Sequence, residues 1–417
     1  RVTASHNPKE DNGYKVYWSN ACQIVPPHDS NISRHIEKNL NPWGDYTSDA
    51  LAKVTLDGEQ TNRIIEKYFA AISPLSPPPS PPAHPTNPPP KFAYTAMHGI
   101  GTPYTTRSFK TFNLPAFTPV KSQVEPDPLF PTVSFPNPEE AGALDLAMKT
   151  AEEENCDIIL ANDPDADRLA VAEHSRVDNS WTVFRGDQIG TMLGKWMWDT
   201  RDKSDSRPVA MVASTVSSKM LRAVGEKEGF RFEETLTGFK WIGSRSVELG
   251  ENEGYNVLFG YEEAIGFCCG DVINDKDGVS AAGVFAELAR AVYGKGGTIK
   301  GFMQGLYDEF GEFVTNNGYF FCHDKEVVKS IFNKIANGGK YMDDVGGYKI
   351  TGIRDLGLGY DSSTDDKKPR LPVDAASPML TLNFENGCCA QFRASGTEPK
   401  FKYYIELRGQ RGETRLV

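Results

Sequence analysis

Residues 157 to 168 read Asp-Ile-Ile-Leu-Ala-Asn-Asp-Pro-Asp-Ala-Asp-Arg, a short apolar run that hands three carboxylates, Asp163, Asp165 and Asp167, to one tight turn. Upstream, Asn137-Pro138-Glu139-Glu140 combines an N-cap residue, proline at the first helical position and an acid at N3, with Leu144, Met148 and Ala151 following on one face. The pattern predicts a helix from residue 137, a strand over 158 to 161, and an acidic loop beyond the strand's carboxyl end. Ligands of α/β sheets bind at such ends.

Like charges ~4 Å apart repel by about 1 kcal/mol in water and several times more in a partly buried cleft. Three clustered carboxylates therefore call for a hard divalent cation, and an all-oxygen donor set points to Mg2+. Two other readings of these residues stay open: a solvated acidic turn, and a phosphatase using Asp163 as nucleophile. An EF-hand is excluded, because loop positions 6 and 12 hold Arg168 and His174 in place of Gly and Glu.

A second α/β unit is expected from about 206 to 315. It has a strand at 209 to 213, a helix bearing Met220, Leu221 and Val224, a strand at 257 to 259 that again ends at acids, Glu262 and Glu263, and a helix after Asp277-Gly278 bearing Val284 and Leu288. The last hundred residues differ. Apolar runs at 380 to 384 and 390 to 392 flank Asn386-Gly387, a hairpin pattern that predicts an antiparallel α+β domain. Proline crowds residues 73 to 90, blocking helix and ladder hydrogen bonds. That stretch reads as an extended linker or surface loop, with an SH3-type ligand as the alternative.

At 417 residues the chain has length for about three domains. Its net charge of -11 disfavours nucleic acid and anionic membranes as partners, leaving local basic loops as the place for small anions. Seven cysteines in no C-x-x-C spacing argue against a disulfide framework and for a reducing, cytoplasmic setting. No apolar run approaches the ~20 residues of a membrane span. The first residue is Arg1, so a native N-terminus and any targeting segment are expected upstream.

Two further loops carry chemistry. Arg393-Ala394-Ser395-Gly396-Thr397-Glu398-Pro399-Lys400 offers a guanidinium, two hydroxyls, an ammonium and a close-approach glycine, which suit a phosphate; a plain polar turn is the alternative. Thr3-Ala4-Ser5-His6-Asn7-Pro8, with Lys15 nearby, offers Ser5 as nucleophile or phosphate carrier. Taken alone, a Ser-His dipeptide is ordinary polar surface, because adjacent side chains diverge.

Taken together, Ser-His-Asn-Pro, Asp-Pro-Asp-Ala-Asp-Arg, Gly260-Tyr261-Glu262-Glu263-Ala264-Ile265-Gly266 and the 393 to 399 loop resemble, in this order, the α-D-phosphohexomutase superfamily. The context Thr3 to Trp18 and Leu236-Thr237-Gly238-Phe239-Lys240-Trp241 is most similar to its phosphoglucomutase-2 and phosphopentomutase branch, which includes glucose-1,6-bisphosphate synthase. The resemblance implies that Ser5 is a phosphoserine whose phosphate bridges to Mg2+ held by Asp163, Asp165 and Asp167. His6 flanks it, Lys15 is a general acid/base, and Arg168 supports the reacting phosphate. Thr237, Glu262, Glu263 and Lys276 contact the sugar phosphate, while Arg393, Ser395, Gly396 and Thr397 grip the phosphate that is not reacting. Where some relatives carry Ser after the paired glutamates this chain has Ala264, so the resemblance does not carry over that hydroxyl contact to substrate.

The implied architecture is three related α/β domains, the first incomplete, plus a C-terminal antiparallel α+β domain, around a central cleft. Boundaries are expected at 1–90, 91–205, 206–317 and 318–417, with a substrate-binding arginine upstream of Arg1. The implied activity is Mg-dependent interconversion of sugar 1-phosphates and 5- or 6-phosphates through a bisphosphate, with glucose 1,6-bisphosphate as primer and a monomer as the expected state. Bisphosphate synthesis from an external acyl phosphate, or sugar-phosphate binding without turnover, are the alternatives.

Overall fold

The computed structural model describes residues 2–44, 58–77, 88–375, 377–394 and 400–409. The chain divides into two compact units, one of residues 1–214 and 228–302, the other of residues 215–227 and 303–417.

The first unit holds two sheets. Strands β1 (Phe92–Thr95), β2 (Thr118–Pro119), β3 (Ile158–Ala161), β4 (Ala170–Ser175) and β5 (Ser180–Val183) form one in the order β2-β1-β3-β4-β5. β1 runs parallel to β2 and β3, while β4 and β5 add antiparallel. Each residue of β1 and β3 is buried, as befits apolar strands covered on both faces. β6 (Val209–Ser214), β7 (Arg231–Thr235), β8 (Asn256–Glu262) and β9 (Gly266–Cys269) form the other in the order β7-β6-β8-β9, with β9 antiparallel. Residues 2–44 contribute two isolated bridges, Val2 to Tyr14 and Tyr17 to Gln23, and the helix His28–Lys38.

The helix Gly278–Gly294 joins the two sheets into one body. Asp277 caps it by accepting from Val279 N and Ser280 N, and the face bearing Val284 and Leu288 is fully buried. Its first turn touches the helix Gly101–Thr111, where Ser108 Oγ donates to the Val279 carbonyl at 3.0 Å.

Two local expectations fail. Asn137 does cap a turn, accepting from Glu139 N at 3.3 Å, but the helix is Asp145–Glu153. Gly142, at φ 81°, turns the chain through the left-handed region and separates the capped turn from the helix. At the start of the proline-dense stretch, Ser73–Leu75 is a 3-10 turn instead of extended chain, following the buried Ile72, and Ser76 Oγ donates to Glu287 at 3.2 Å. Residues 78–87 lie outside the described residues.

Glu173 is a buried hub: its carboxylate accepts from Tyr293 OH at 2.9 Å, Ile299 N at 2.6 Å and Lys300 N at 2.8 Å. The last two are orphan donors at the start of the helix Ile299–Phe310. Glu173→Ala should cost on the order of 3 kcal/mol by stranding them, read as a fall of several degrees in Tm. A Tm unchanged from wild type would show that water replaces the carboxylate.

The second unit carries one mixed-length antiparallel sheet. Strands β10 (Phe313–Phe321), β11 (Asp344–Val345), β12 (Tyr348–Asp355), β13 (Tyr360–Asp361), β14 (Met379–Phe384), β15 (Cys388–Ala394) and β16 (Lys400–Arg408) order as β10-β16-β15-β14-β12-β11, with β13 on β12. The expected hairpin is β14 and β15. The helix Lys325–Ile335 covers it, with Phe332 packed among Leu380, Leu382 and Phe401. Segment 215–227 docks here: Gln391 Nε2 donates to the Thr215 carbonyl at 2.8 Å, and Glu406 accepts from Lys219 N at 3.0 Å.

Candidate active site

Ser5 sits in a loop closed by Asn7 N donating to the Ala4 carbonyl at 3.0 Å and by Thr3 N donating to the Gly13 carbonyl at 3.0 Å. A Cβ on Gly13 would lie 2.0 Å from the Thr3 carbonyl oxygen, so only glycine lets the two segments meet. Ser5 itself adopts φ 55°, a left-handed conformation that costs a non-glycine residue roughly 1–3 kcal/mol and persists only where its surroundings enforce it. The enforcing contacts are visible. Thr3 Oγ1 accepts from Ser5 N at 2.8 Å and donates to Asp165 Oδ2 at 2.9 Å, and Ser5 Oγ donates to Asp163 Oδ2 at 3.0 Å.

The acidic turn follows β3. Ala166 N donates to the Asp163 carbonyl at 2.9 Å, and Arg168 N donates to Asp163 Oδ1 at 3.1 Å. One carboxylate oxygen from each of Asp163, Asp165 and Asp167 lies within 4.8 Å of the other two; Asp163 and Asp167 are buried and Asp165 half-buried. Burial, then the charges of Asp167 and Asp165, push the Asp163 carboxyl well above the usual carboxylate range. A site that penalises its own negative charge in this way fits a hard divalent cation, with Asp163, Asp165 and Asp167 as the residues that would hold it.

Three cationic side chains approach the same carboxylates. Lys15 Nζ is 3.5 Å from Asp167 and 3.9 Å from Asp165. Lys276 Nζ is 3.6 Å from Asp167, 3.9 Å from Glu262 and 3.8 Å from Asp275; burial alone would depress its pKa, but those three acids more than offset it and raise it. Arg168 Nε is 4.0 Å from Asp163. His6 Nδ1 lies 3.2 Å from Ser5 Oγ. Burial and then Arg168 lower its pKa to about 3, so the ring beside Ser5 is neutral at ordinary pH.

Glu262 closes β8, its carboxyl raised by burial with Lys276 pulling the other way. Glu263 follows and accepts from Ser214 Oγ at 2.9 Å. Ala264 lies in the turn that links β8 to β9, and Leu169 N donates to the Ile265 carbonyl at 3.0 Å, which brings this turn against the end of the acidic loop.

The three family models that match are phosphoglucomutase/phosphomannomutase alpha/beta/alpha domain I over residues 1–42, domain II over 66–176 and domain III over 185–310. A phosphopentomutase from Homo sapiens is 45% identical over 416 residues, covering 97% of this chain and 67% of its own length. The chain belongs to the phosphoglucomutase/phosphomannomutase family of the α-D-phosphohexomutase superfamily. A glucose 1,6-bisphosphate synthase from Homo sapiens is 44% identical over 97% of the chain and 66% of its own length, so both readings of the activity have a named relative. The chain spans about two thirds of the length of these relatives. In fold, it is similar to the solved structure of pp63/parafusin, a phosphoglucomutase from Paramecium, with a TM-score of 0.65 at 19% identity over 100% of this chain and 73% of that one.

Of the residues the family resemblance singled out, the first unit brings Ser5, His6, Lys15, Asp163, Asp165, Asp167, Arg168, Glu262 and Lys276 into one connected network. Thr237 precedes the helix Phe239–Glu251 and is half-buried; Lys276 Nζ lies 5.5 Å from the Phe239 ring in that helix's first turn. Arg393 belongs to the second unit, on β15, paired with Met379 and Lys402. Ser395, Gly396 and Thr397 lie outside the described residues.

Four residues of the network escaped the sequence. Thr3 stitches Ser5 to Asp165. Asp275 Oδ2 accepts from Tyr17 OH at 2.5 Å and Gln23 Nε2 at 3.0 Å, tying residues 17–23 to Lys276. Phe135 sits edge-on to His6 at 6.2 Å, and Glu139 lies 3.9 Å from Arg168. Long-range contacts such as these, 162 positions apart for Thr3 and Asp165, leave no local pattern.

Proposed function

We propose that this chain carries the phosphoryl-transfer centre of a sugar-phosphate mutase that interconverts sugar 1-phosphates with 5- or 6-phosphates. The observation that carries it is Ser5 Oγ at 3.0 Å from Asp163, inside the cluster of three carboxylates. Ser5 is held there at φ 55° by the Thr3 and Asp163 hydrogen bonds, which aim its hydroxyl at the cluster.

In this reading Ser5 gives its phosphoryl group to one end of a sugar monophosphate, the bisphosphate turns round, and the opposite phosphate returns to Ser5. Phosphoryl transfer is catalysed mainly by positioning and charge neutralisation. Mg2+ held by Asp163, Asp165 and Asp167 would supply neutralisation at the transferring group. Lys15 serves as general acid/base on the sugar hydroxyl, and Arg168 and Lys276 hold phosphate charge. Neutral His6 offers a ring nitrogen next to the Ser5 hydroxyl, and Glu262 and Glu263 accept sugar hydroxyls in either orientation of the bisphosphate. Thr237 adds a hydroxyl contact. Arg393, Ser395, Gly396 and Thr397 grip the phosphate that is not reacting, glucose 1,6-bisphosphate primes Ser5, and the four-domain division at 90, 205 and 317 describes the chain. Seven free thiols, four of them buried, suit a reducing cytoplasm.

The test is intact-mass analysis after incubation with Mg2+ and glucose 1,6-bisphosphate. One phosphoryl group, mapped to Ser5, is expected; an alkali-labile acyl phosphate on Asp163 would replace the mutase reading with the phosphatase one. The similarity to glucose 1,6-bisphosphate synthase supports a second reading, net bisphosphate formation from an external acyl phosphate. Supplying such a donor with glucose 1-phosphate separates the two.

A further inference from the structure

Arg168 and Glu139 form an unusual pair. The Arg168 side chain is 12% exposed and its Nε is buried with no hydrogen-bond partner among the described residues. Its two nearest acids, Asp163 at 4.0 Å and Glu139 at 3.9 Å, stand beyond hydrogen-bond distance. A buried donor left in this state is costly, which marks it as waiting for a ligand. Glu139 mirrors it: its carboxylate makes no closer polar contact among the described residues than the Arg168 pair, and 37% of the side chain remains open to water. Crowding by protein nonetheless raises its pKa to about 7, with Arg168 pulling down and Glu263 and Glu262 pushing up. Glu139 is thus an exposed carboxylate set against a nearly buried guanidinium, with the charges of Glu263 and Glu262 acting on it.

We propose that Glu139 contacts substrate in this site, its carboxylate accepting a sugar hydroxyl while the adjacent Arg168 takes the phosphate of the same molecule. The pair then presents an anion-binding fork and a hydroxyl acceptor 3.9 Å apart, matched to a sugar phosphate and not to phosphate alone. A carboxylate facing Arg168 weakens its grip on a bare anion, so the sugar hydroxyl is what makes binding favourable. The capped turn at Asn137 and the left-handed Gly142 place Glu139 there instead of in a helix. Phe135 on the same loop covers His6. This assignment rests on the sugar-phosphate reading of the site.

The test is calorimetric titration of wild type, Glu139→Gln and Glu139→Ala with glucose 1-phosphate, ribose 1-phosphate and inorganic phosphate, each with Mg2+. Glu139→Ala should weaken at least one sugar phosphate about tenfold, and Glu139→Gln by less, because an amide still accepts a hydroxyl. Inorganic phosphate should bind unchanged or more tightly, and an unchanged Mg2+ titration certifies the fold. Sugar-phosphate binding equal to wild type, or an equal loss for inorganic phosphate, overturns the contact; the latter makes Glu139 a mere prop for Arg168. A wild type that binds inorganic phosphate but neither sugar phosphate overturns the mutase reading itself, and Glu139's role with it.

Discussion

Ser5→Ala is expected to lower sugar-phosphate exchange by at least about 10⁴-fold while leaving the thermal stability of the metal-free protein near wild type. The hydroxyl is the atom that would carry the phosphoryl group, and the neighbouring Thr3 hydroxyl does not stand in its place, being committed to Asp165 and to Ser5 N. Stability should change little, since alanine loses one hydrogen bond to Asp163 but tolerates φ 55° no worse than serine. The measurement is exchange of label between glucose 1-phosphate and glucose 1,6-bisphosphate, with mass analysis in parallel. Phosphate retained on the variant after incubation would sink the phosphoserine assignment, whatever the rate.

Asp165→Asn should have opposite effects on stability and on activity. Without an ion, three carboxylates whose oxygens lie within 4.8 Å repel, and burial has already made Asp163 hard to ionise. Removing one charge relieves that repulsion, so the variant free of metal should melt at or above the wild-type temperature. With the ion the order reverses. Mg2+ affinity should fall at least tenfold, roughly, and turnover about 10²–10³-fold, because the charge that held the cation is gone. Thermal melts with and without Mg2+ read both signs at once, since an ion that binds only the native state raises Tm with its concentration. Equal Mg2+-dependent shifts in the two proteins would remove Asp165 from the metal site.

The same coupling gives the cluster a pH dependence with a definite sign. The Asp163 carboxyl is raised above its unfolded value, so in the metal-free protein its contribution is fully present below the unfolded carboxylate range and is lost as pH rises through the folded value. Metal-free wild type should therefore lose stability from this group toward neutral pH.

What could be read locally was read from the sequence alone. The buried strand β3 and its acidic turn, the β14–β15 hairpin about Asn386-Gly387 and the helix after Asp277 follow from periodicity, turn chemistry and capping, each set by residues within a few positions. The identities of the loop residues carried the family. The helix expected from Asn137 shows the limit of that reasoning: the cap formed, but one left-handed glycine five residues later diverted the chain and left Glu139 beside Arg168. Tertiary structure alone decided how residues 3–5 meet residues 163–165, through Thr3 and Ser5 bonds that span some 160 positions, and how Asp275 gathers Tyr17, Gln23 and Lys276. Their energies depend on burial and on the mutual distance of charges, quantities that exist only once the sheets have packed.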